Sequence, residues 1–472
     1  MKVFLRLSVL VLVFLFPVSL FAQVPTPPPG FDQGPYITFD DKAPSKGQKL
    51  IQVTERGKKI AIKKFKRSAK KRGRKVRQPS PRQLNKAIAK LFGLRLSEEI
   101  SSGNILYATG VRDNTTKITK ALKKKWALYV EENYKIYKFD FIDIADDLFC
   151  FLTLCWGIEN IPNPFFGSGV ADMDVDAPDA WPITEGEGIV VGVIDTGVDY
   201  THQDLADNIW TNPRETENGI DDDGNGFVDD IRGWDFFGDQ SDPMDDNFHG
   251  THVAGIIAAL RGNQSGIIGV APKAKILPLK VLGADGSGDT VGLIRALEYS
   301  IQLKEAGVPL RVLNASLGGG ESTELIKQTI QRANDVGILF VAAAGNNSSD
   351  NDREAVYPAN HAIELPNVLS VASIDSNGEL SDFSNFGRTT VSLAAPGGFV
   401  WSTIIRGLYL PASGTSMAAP HAAGVAALVA ARYPDMTPGE IRDRLMNTAK
   451  PVFGLENGML APGIVSAGRA LQ

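Results

Sequence analysis

From about residue 156 to the end of the chain, short apolar segments alternate with longer segments that have a helical pattern. The short segments are rich in Val, Ile and Leu, which is typical of strands buried on both faces. The predicted strands are Ile189–Ile194, Ala274–Val281, Leu310–Ala315, Ile338–Ala343, Val368–Val371 and Val391–Ala395. The predicted helices are His249–Leu260, Val291–Leu303, Thr323–Asp335, Ser416–Arg432 and Pro438–Asn447. This alternation predicts a mostly parallel sheet that is covered by helices on both faces.

Two of the predicted helices carry local signals near their first residues. Thr437 and Glu440 have the spacing of a capping box, and Pro438 stands at the first helical position. The helix near Ser416 contains Pro420, which we expect in the first turn, where its missing N–H costs little. The small residues of this helix allow it to lie close to its neighbours.

The N-terminal third has a different organisation. Residues 1–22 combine a basic start, an apolar run and Ala22, which predicts a signal peptide; a membrane-anchored N-terminus is the alternative. Residues 23–47 are rich in Pro and Gly and predict a linker. Residues 48–145 predict a small mixed α/β domain with a helix at Ser80–Phe92 and strands at Asn104–Val111 and Trp126–Val130. We therefore expect a protein that is secreted or held in the cell envelope without a stable membrane anchor.

The net charge of −5 hides an uneven distribution along the chain. Residues 1–150 contain 30 Lys and Arg against 13 Asp and Glu, whereas residues 151–472 contain 19 against 41. The run 56–77 alone carries 13 basic residues and no acidic one. Such a run is usually a solvated or disordered arm, and binding to nucleic acid or the envelope is the alternative. The basic N-terminal part could equally dock on the acidic C-terminal part.

Cys150 and Cys155 are the two cysteines of the chain. In an exported protein they can close a small local disulfide, and two free thiols are equally compatible with the sequence. Their spacing lacks the further ligands that a metal site would need.

Three short motifs supply the groups that peptide hydrolysis needs. Asp195 follows a predicted buried strand, His249 opens a predicted helix, and Ser416 opens another after Gly414. A serine hydroxyl is a poor nucleophile until a base takes its proton, and a carboxylate must orient that base. We expect Ser416, His249 and Asp195 to fill these roles. The remaining histidines are expected to be structural: His202, His252, His361 and His421.

The three motifs, in the order Asp, His, Ser, closely resemble those of the subtilisin-like serine peptidases, the subtilases. The resemblance is strong over residues 145–472 and weak over 48–145, where it depends on the segment 127–134. It implies a three-layer α/β/α subtilisin-like peptidase domain (146–472), preceded by a small α+β propeptide domain (48–145). In that family the propeptide is an intramolecular inhibitor and folding assistant, which implies self-cleavage between about residues 135 and 150 and polypeptide substrates. Nucleic acid is not expected as a partner.

The same resemblance assigns further residues to the site. Asn346 matches the asparagine whose side chain helps to stabilise the oxyanion. Val356 matches a position near the base of the first specificity pocket, which implies uncharged or apolar side chains there. Two glycine-containing segments match the edges between which an extended substrate lies: Gly286, Ser287 and Gly288 on one side, and Ser316, Leu317 and Gly318 on the other.

The segment 221–230 predicts a calcium loop. Its carboxylate and amide side chains fall at the first, third and fifth places, with glycine sixth, as in an EF-hand, but the twelfth place is Arg232. A calcium loop of another fold is therefore expected, and a polar solvated loop is the alternative. The proposed ligands are Asp221, Asp223, Asn225, the carbonyl of Phe227, and Asp230 or Asp229. A second calcium site is implied by the resemblance at Asp204 and Asn263.

Two other functions compete with a self-processing peptidase. One is a binding protein on a subtilase scaffold that has lost its activity, which the complete catalytic set argues against. The other is an envelope-binding or nucleic-acid-binding protein whose basic arm carries the main function. The seryl-carboxyl peptidases, which use Glu in place of His, are disfavoured by His249.

Overall fold

The computed structural model describes five strands of the N-terminal third, the stretches 156–158, 160 and 170, and residues 172–263, 266–319 and 321–472. All of these lie in the compact unit Asp41–Gln472. The predicted signal peptide, the linker, the helix Ser80–Phe92, the basic run 56–77 and both cysteines lie outside the described residues. Those features remain predictions.

The N-terminal strands are Lys49–Val53 (β1), Arg95–Ile100 (β2), Ile105–Thr109 (β3), Ala127–Glu132 (β4) and Lys135–Lys138 (β5). The first four form an antiparallel sheet in the order β2-β3-β1-β4. Strand β3 confirms the predicted strand Asn104–Val111, and β4 confirms Trp126–Val130. Strand β5 belongs to a different sheet.

A nine-stranded sheet forms the centre of the described part of the chain, in the order β17-β18-β14-β13-β12-β10-β6-β8-β7. Its pairings are parallel except for β17 with β18. All six predicted strands are confirmed within one or a few residues. The strands after β5 are Val190–Asp195 (β6), Trp234–Asp235 (β7), Lys275–Lys280 (β8), Ser287–Asp289 (β9), Leu310–Ala315 (β10), Leu317–Gly318 (β11), Leu339–Ala343 (β12), Val368–Ile374 (β13), Leu393–Pro396 (β14), Val400–Ile404 (β15), Leu408–Ala412 (β16), Lys450–Pro451 (β17) and Gly463–Ile464 (β18).

Helices cover both faces of this sheet, and the five predicted helices are confirmed. The helices are Ala177–Ala180 (α1), His249–Ala258 (α2), Thr290–Glu305 (α3), Glu324–Asp335 (α4), Thr415–Arg432 (α5), Pro438–Asn447 (α6) and Ala467–Ala470 (α7). Strand β6 shows how the layers form, because its alternate residues enter different cores. Val191 and Val193 pack with α2 and α5, whereas Val190 and Ile194 pack with α3 and α4. The three-layer α/β/α architecture is therefore confirmed.

Local sequence decides where α6 begins. The Thr437 side chain accepts a hydrogen bond from the Glu440 amide, and the Glu440 side chain accepts one from the Thr437 amide. Both bonds of the predicted capping box are therefore present. They stabilise the start of the helix, because each satisfies an amide that has no partner within the helix.

The histidines that were predicted to be structural are buried and hydrogen-bonded. The side chains of His202 and His252 donate to the carbonyls of Leu408 and Leu410 on β16, each at 3.1 Å. Burial lowers the pKa of His252 to about 3. His361 lies with Nε2 3.0 Å from the Ser322 hydroxyl, and burial lowers its pKa to about 4.

We expect His361 to make the folded state less stable as the pH falls from 7 to 5. Its pKa is lower in the folded chain than the value of about 6.5 in the unfolded chain, so the unfolded state binds the proton first. At pH 5 this difference costs about 2 kcal/mol. The measurement is urea unfolding at pH 7 and pH 5 of Ser416→Ala and of Ser416→Ala with His361→Gln, a pair in which self-digestion is prevented.

The difference between the two proteins isolates the histidine from buried carboxylates, which act in the opposite direction. Asp174 is such a group, because burial raises its pKa to about 6. Relative to its parent, the His361→Gln variant should therefore increase in unfolding free energy by about 2 kcal/mol when the pH is lowered from 7 to 5. If the difference in unfolding free energy between the two proteins is the same at pH 7 and pH 5, His361 binds a proton equally well in the folded and unfolded states, and the prediction is wrong.

Candidate active site

Asp195 ends β6 at the carboxyl edge of the parallel sheet, where sites form in open α/β folds. Its side chain is fully buried, and Oδ1 accepts a hydrogen bond from the Thr196 amide at 2.7 Å. The same oxygen is 2.6 Å from Nδ1 of His249. Since a carboxylate oxygen only accepts, Nδ1 carries the proton, and the tautomer of His249 is set by this contact.

His249 is the first residue of α2, and its side chain is fully buried. The helix can approach Asp195 because its second residue is Gly250. A Cβ on Gly250 would lie 2.0 Å from the Gly197 carbonyl oxygen and 3.1 Å from Cβ of Asp195. The glycine is therefore required by close backbone packing between the loop after β6 and the start of α2.

Ser416 is the second residue of α5, and its hydroxyl lies 3.3 Å from the carbonyl oxygen of Ser316. Ser316 follows β10, which pairs with β6 so that Ala315 lies beside Ile194. Because β6 and β10 are parallel neighbours, Ser316 and Asp195 lie at the same edge of the sheet. Helix α5 also packs against α2. The structure thus brings Asp195, His249 and Ser416 to one place.

Pro420 is the sixth residue of α5, in its second turn rather than in the first as expected. Proline has no N–H to donate to the carbonyl four residues earlier, which belongs to Ser416. That carbonyl accepts a hydrogen bond from the Ser316 hydroxyl instead, at 2.8 Å. The proline therefore leaves open a backbone acceptor that ties the start of α5 to the end of β10.

Asn346 follows β12 and is held by the residue before Ser416. Its Oδ1 accepts from the amide of Thr415 at 2.9 Å and from the Thr415 hydroxyl at 2.8 Å. With Oδ1 occupied in this way, Nδ2 lies on the side of Gly414, where a Cβ would come within 3.2 Å of it. Thr415, which the sequence analysis did not single out, orients this amide beside Ser416.

The two predicted substrate edges are strands β9 and β11, and β5 lies between them in a three-stranded antiparallel sheet. Strand β9 contains Ser287 and Gly288, directly after Gly286, and β11 consists of Leu317 and Gly318. On one side Ile136 pairs with Gly288, and on the other Lys138 pairs with Leu317. An extended segment of the chain itself thus occupies the cleft beside Ser416.

Val356 lies at one wall of this cleft. Its Cγ2 is 3.5 Å from the position that a Cβ on Gly345 would occupy, one residue before Asn346. The next residue, Tyr357, exchanges two backbone hydrogen bonds with Gly319, at 2.9 and 2.8 Å. Val356 therefore lies between the extension of β11 and the loop that carries Asn346, and its place at the base of the first specificity pocket stays a prediction.

The acidic loop 215–230 gathers some, but not all, of its carboxylates into one cluster. Asp223 and Asp230 lie with Glu215, and ligand oxygens of the three are within 4.8 Å of one another. Asp230 is fully buried, and this burial raises the pKa of its carboxyl to about 6. Sequence reasoning missed Glu215 because it lies outside the 221–230 motif. Its carboxylate is brought in by hydrogen bonds from the amides of Asp223 and Asp229.

The other predicted ligands of this loop lie around that cluster. Asp221 accepts from the amides of Gly224, Asn225 and Gly226, so it shapes the turn. Asn225 donates its side-chain amide to Asp230 at 2.9 Å. The ring of Phe227 packs on aromatic side chains, of which Tyr299 is the nearest at 4.9 Å between ring centroids.

The second predicted calcium position has hydrogen-bond donors around its carboxylate. Asp204 Oδ2 accepts from the Ile267 amide and from the Tyr409 hydroxyl, each at 3.0 Å, and Oδ1 accepts from the Asn263 side chain. The structure thus brings Asp204 and Asn263 together, as a hydrogen-bonded pair.

The chain is similar to known proteins in sequence. Residues 186–462 match the model of the subtilase family, peptidase S8. Thermitase from Thermoactinomyces vulgaris is 37% identical over 315 residues, which is 66% of this chain and 99% of that protein. The thermophilic serine proteinase of Bacillus sp. (strain AK1) is 39% identical over 276 residues, 58% of this chain and 60% of that protein.

Two solved structures resemble the fold. Fervidolysin from Fervidobacterium pennivorans, a keratinolytic enzyme related to subtilisin, superposes with a TM-score of 0.65 and 24% identity, over 92% of this chain and 62% of that chain. A cold-adapted subtilisin-like serine proteinase gives a TM-score of 0.50 and 32% identity, over 65% of this chain and 97% of that chain.

The fold and these matches define a serine endopeptidase, an enzyme that acts on polypeptides. The chain belongs to the subtilase family. Within the part of the chain that the structure describes, no helix has the length and apolar character needed to cross a membrane.

Gly250→Ala should lower kcat/KM by about 100-fold or more, because the added methyl group displaces α2 and lengthens the contact between His249 and Asp195. A misplacement of about 1 Å at a catalytic group costs a factor of this size. Steady-state hydrolysis of a chromogenic peptide measures the effect.

Gly439→Ala is the matched control, since a Cβ there meets no atom closer than 3.5 Å. That substitution in α6 should leave kcat/KM unchanged and stabilise the fold by about 0.4–1 kcal/mol. If Gly250→Ala keeps the activity of the parent, the contact between Asp195 and His249 does not depend on the close approach of α2 to the Gly197 carbonyl.

Proposed function

We propose that this chain is a secreted, self-processing endopeptidase in which Ser416 is the nucleophile, His249 the base and Asp195 the residue that orients it. The observation that supports this most strongly is the buried 2.6 Å contact between Asp195 and His249 Nδ1, beside Ser416 and at the end of a cleft built for an extended chain. Export is inferred from the N-terminal signal pattern.

Acylation begins when the Ser416 hydroxyl attacks the carbonyl carbon of the substrate and its proton passes to Nε2 of His249. The Nδ1 proton of the imidazolium stays on nitrogen and remains hydrogen-bonded to Asp195, whose negative charge stabilises the cation. His249 then gives the proton to the leaving amine, and the acyl group stays on Ser416. Water, activated by the same base, releases the acid and restores the serine.

The developing oxyanion needs donors that are in place before the reaction. We assign the amide of Ser416 as one, because it lies in the first turn of α5, where the helix dipole favours negative charge. We assign Nδ2 of Asn346 as the second, since Thr415 occupies its oxygen and leaves the donor end on the side of Gly414.

Substrates bind as a strand between β9 and β11, which recognises main chain rather than a particular sequence. Val356 at the wall favours an uncharged side chain in the first pocket. Strand β5 is the chain's own occupant of this cleft, which supports residues 48–145 as an inhibitory propeptide.

The register of β5 singles out one bond for self-cleavage. Lys138 pairs with Leu317, and the residue before Leu317 is Ser316, whose carbonyl oxygen is 3.3 Å from the Ser416 hydroxyl. Counting one residue beyond Lys138 reaches Phe139. We therefore assign the bond between Phe139 and Asp140, both outside the described residues, as the one that is cleaved.

The test is to produce the chain without residues 1–22, as wild type and as Ser416→Ala, and to follow intact masses over time. We expect the wild type to split after Phe139 and the alanine variant to stay whole, because only the former has the nucleophile. If both split alike, a host enzyme made the cut. If a folded wild type stays whole, self-processing is wrong, and a cut elsewhere between 135 and 150 would contradict the register alone.

We also propose a structural calcium ion in the acidic loop, held by Glu215, Asp223 and Asp230, with Asn225, Asp221 and the Phe227 carbonyl nearby. The donor set fits, because oxygen ligands and several carboxylates are what calcium takes. Three carboxylates so close together repel one another, and among the described residues Arg214 is the cation within ion-pair distance of them, 3.2 Å from Asp223. When bound, the ion would cross-link the loop between β6 and β7.

Removal of calcium should lower the unfolding temperature of Ser416→Ala. At free calcium about 100-fold above Kd, bound ion contributes about 2.7 kcal/mol. Glu215→Gln should weaken calcium binding at least about tenfold, or about 1.4 kcal/mol, by calorimetry. Glu217→Gln, an exposed neighbour, is the control and should bind as the parent does. Equal affinity of all three proteins would exclude Glu215 as a ligand.

A further inference from the structure

Asp245 is a buried carboxylate that the proposed reaction does not use. It lies four residues before His249, and its side chain accepts five hydrogen bonds. Oδ1 accepts from the Thr196 hydroxyl and from the amides of Asn247 and Phe248, at 2.9, 2.9 and 3.0 Å. Oδ2 accepts from the amide and the hydroxyl of Thr251, at 3.0 and 2.6 Å. Five donors on one carboxylate leave little freedom to the segments that supply them.

The first of these segments carries Asp195. Thr196, whose hydroxyl binds Asp245, donates its own amide to Asp195 Oδ1 at 2.7 Å. The Thr196 hydroxyl also accepts from the Gly250 amide at 3.0 Å, and its carbonyl accepts from the buried amine of Lys280 at 2.6 Å. Each polar atom of Thr196 therefore makes a hydrogen bond. Through Thr196, Asp245 is linked to Asp195, the carboxylate that contacts His249.

The second segment carries His249. Helix α2 begins there, and the residue at its N-cap, Phe248, has φ of 124°, which is unfavourable for a side chain with a Cβ. Phe248 offers no side-chain cap, and Asp245 takes its place. It accepts the amide of Phe248 itself and the amide of Thr251 in the first turn. The unusual backbone at Phe248 is thus stabilised from outside the helix, directly before the histidine.

We propose that Asp245 is a positioning residue, which sets the contact between Asp195 and His249. It does so by binding Thr196, directly after Asp195, and the start of α2, which carries His249. This inference rests on the proposed roles of Asp195 and His249. A carboxylate suits the task because it accepts at both oxygens, whereas an asparagine side chain presents an N–H₂ group to one set of donors.

The test compares Asp245→Asn with Asp246→Asn in the processed enzyme, with calcium present. Both remove one carboxylate charge, but Asp246 is half exposed and contacts Lys280 rather than the helix start. In Asp246→Asn the side-chain oxygen can still accept from Lys280, whose amine also keeps the carbonyls of Thr196 and Leu282 as acceptors. We expect Asp245→Asn to lower kcat about 10- to 100-fold with KM within about twofold, because substrate lies on β9 and β11 while the catalytic pair is displaced. Asp246→Asn should lower kcat by less than about twofold.

A spectroscopic readout separates positioning from a general loss of stability. The Nδ1 proton of His249 in its short bond to Asp195 should give a far-downfield proton resonance, which depends on that contact and not on turnover. We expect this signal to shift or disappear in Asp245→Asn and to remain in Asp246→Asn. If Asp245→Asn merely melts at a lower temperature, with the signal and kcat unchanged, the proposal is wrong.

A second pair of variants keeps the idea testable if Asp245→Asn does not fold. Thr196→Val removes the hydroxyl that links Asp245 to the loop of Asp195, and Thr196→Ser restores it. We expect a lower kcat and an altered signal in the valine variant and recovery of both in the serine variant; equal behaviour of the two would overturn the proposal. If the wild type has the resonance but no activity, the proposed function fails while the positioning role is still measured.

Discussion

Strands β6 and β10 end side by side in the parallel part of the central sheet, and the rest of the site depends on this constraint. Because the register pairs Ile194 with Ala315, the residues that follow them, Asp195 and Ser316, emerge at the same edge. Asp195 receives His249 from a helix on one face of the sheet. Ser316 exchanges hydrogen bonds with Ser416 at the start of another helix. A shift of one residue between the two strands would separate Asp195 from Ser416.

Contacts to the backbone of α2 and α5 bring the two helices to this edge. Gly250 lets α2 approach the Gly197 carbonyl, and Pro420 leaves the Ser416 carbonyl open to the Ser316 hydroxyl. Hydrogen bonds to buried carboxylates then hold the loops between these elements. The cleft has the same basis, since β9 and β11 present main chain to any extended segment, including β5 of the chain itself.

The acidic loop shows a different balance between local and distant residues. Asp221 accepts amides from the turn that follows it, which is local and readable from the spacing of the motif. Glu215 joins Asp223 and Asp230 only because the chain folds back, so its place could not be read from a motif six residues further on. Burial raises the pKa of Asp230, whereas the hydrogen bond that it accepts from the Tyr299 hydroxyl at 2.6 Å lowers it, and this donor comes from a helix far along the chain.

The sequence by itself determined the main strands and helices of the peptidase domain and indicated candidate residues for its site. Strand and helix patterns are local, so β10 and α6 begin and end where they were predicted, and the spacing of Asp195, His249 and Ser416 resembled a known family. Tertiary structure alone decided which side chains and strands meet. It placed Thr415 on Asn346, Glu215 in the acidic cluster, Asp245 between two segments and β5 in the cleft. These contacts join residues from different elements, and their geometry is set by strand register and helix packing, which no single stretch of sequence contains.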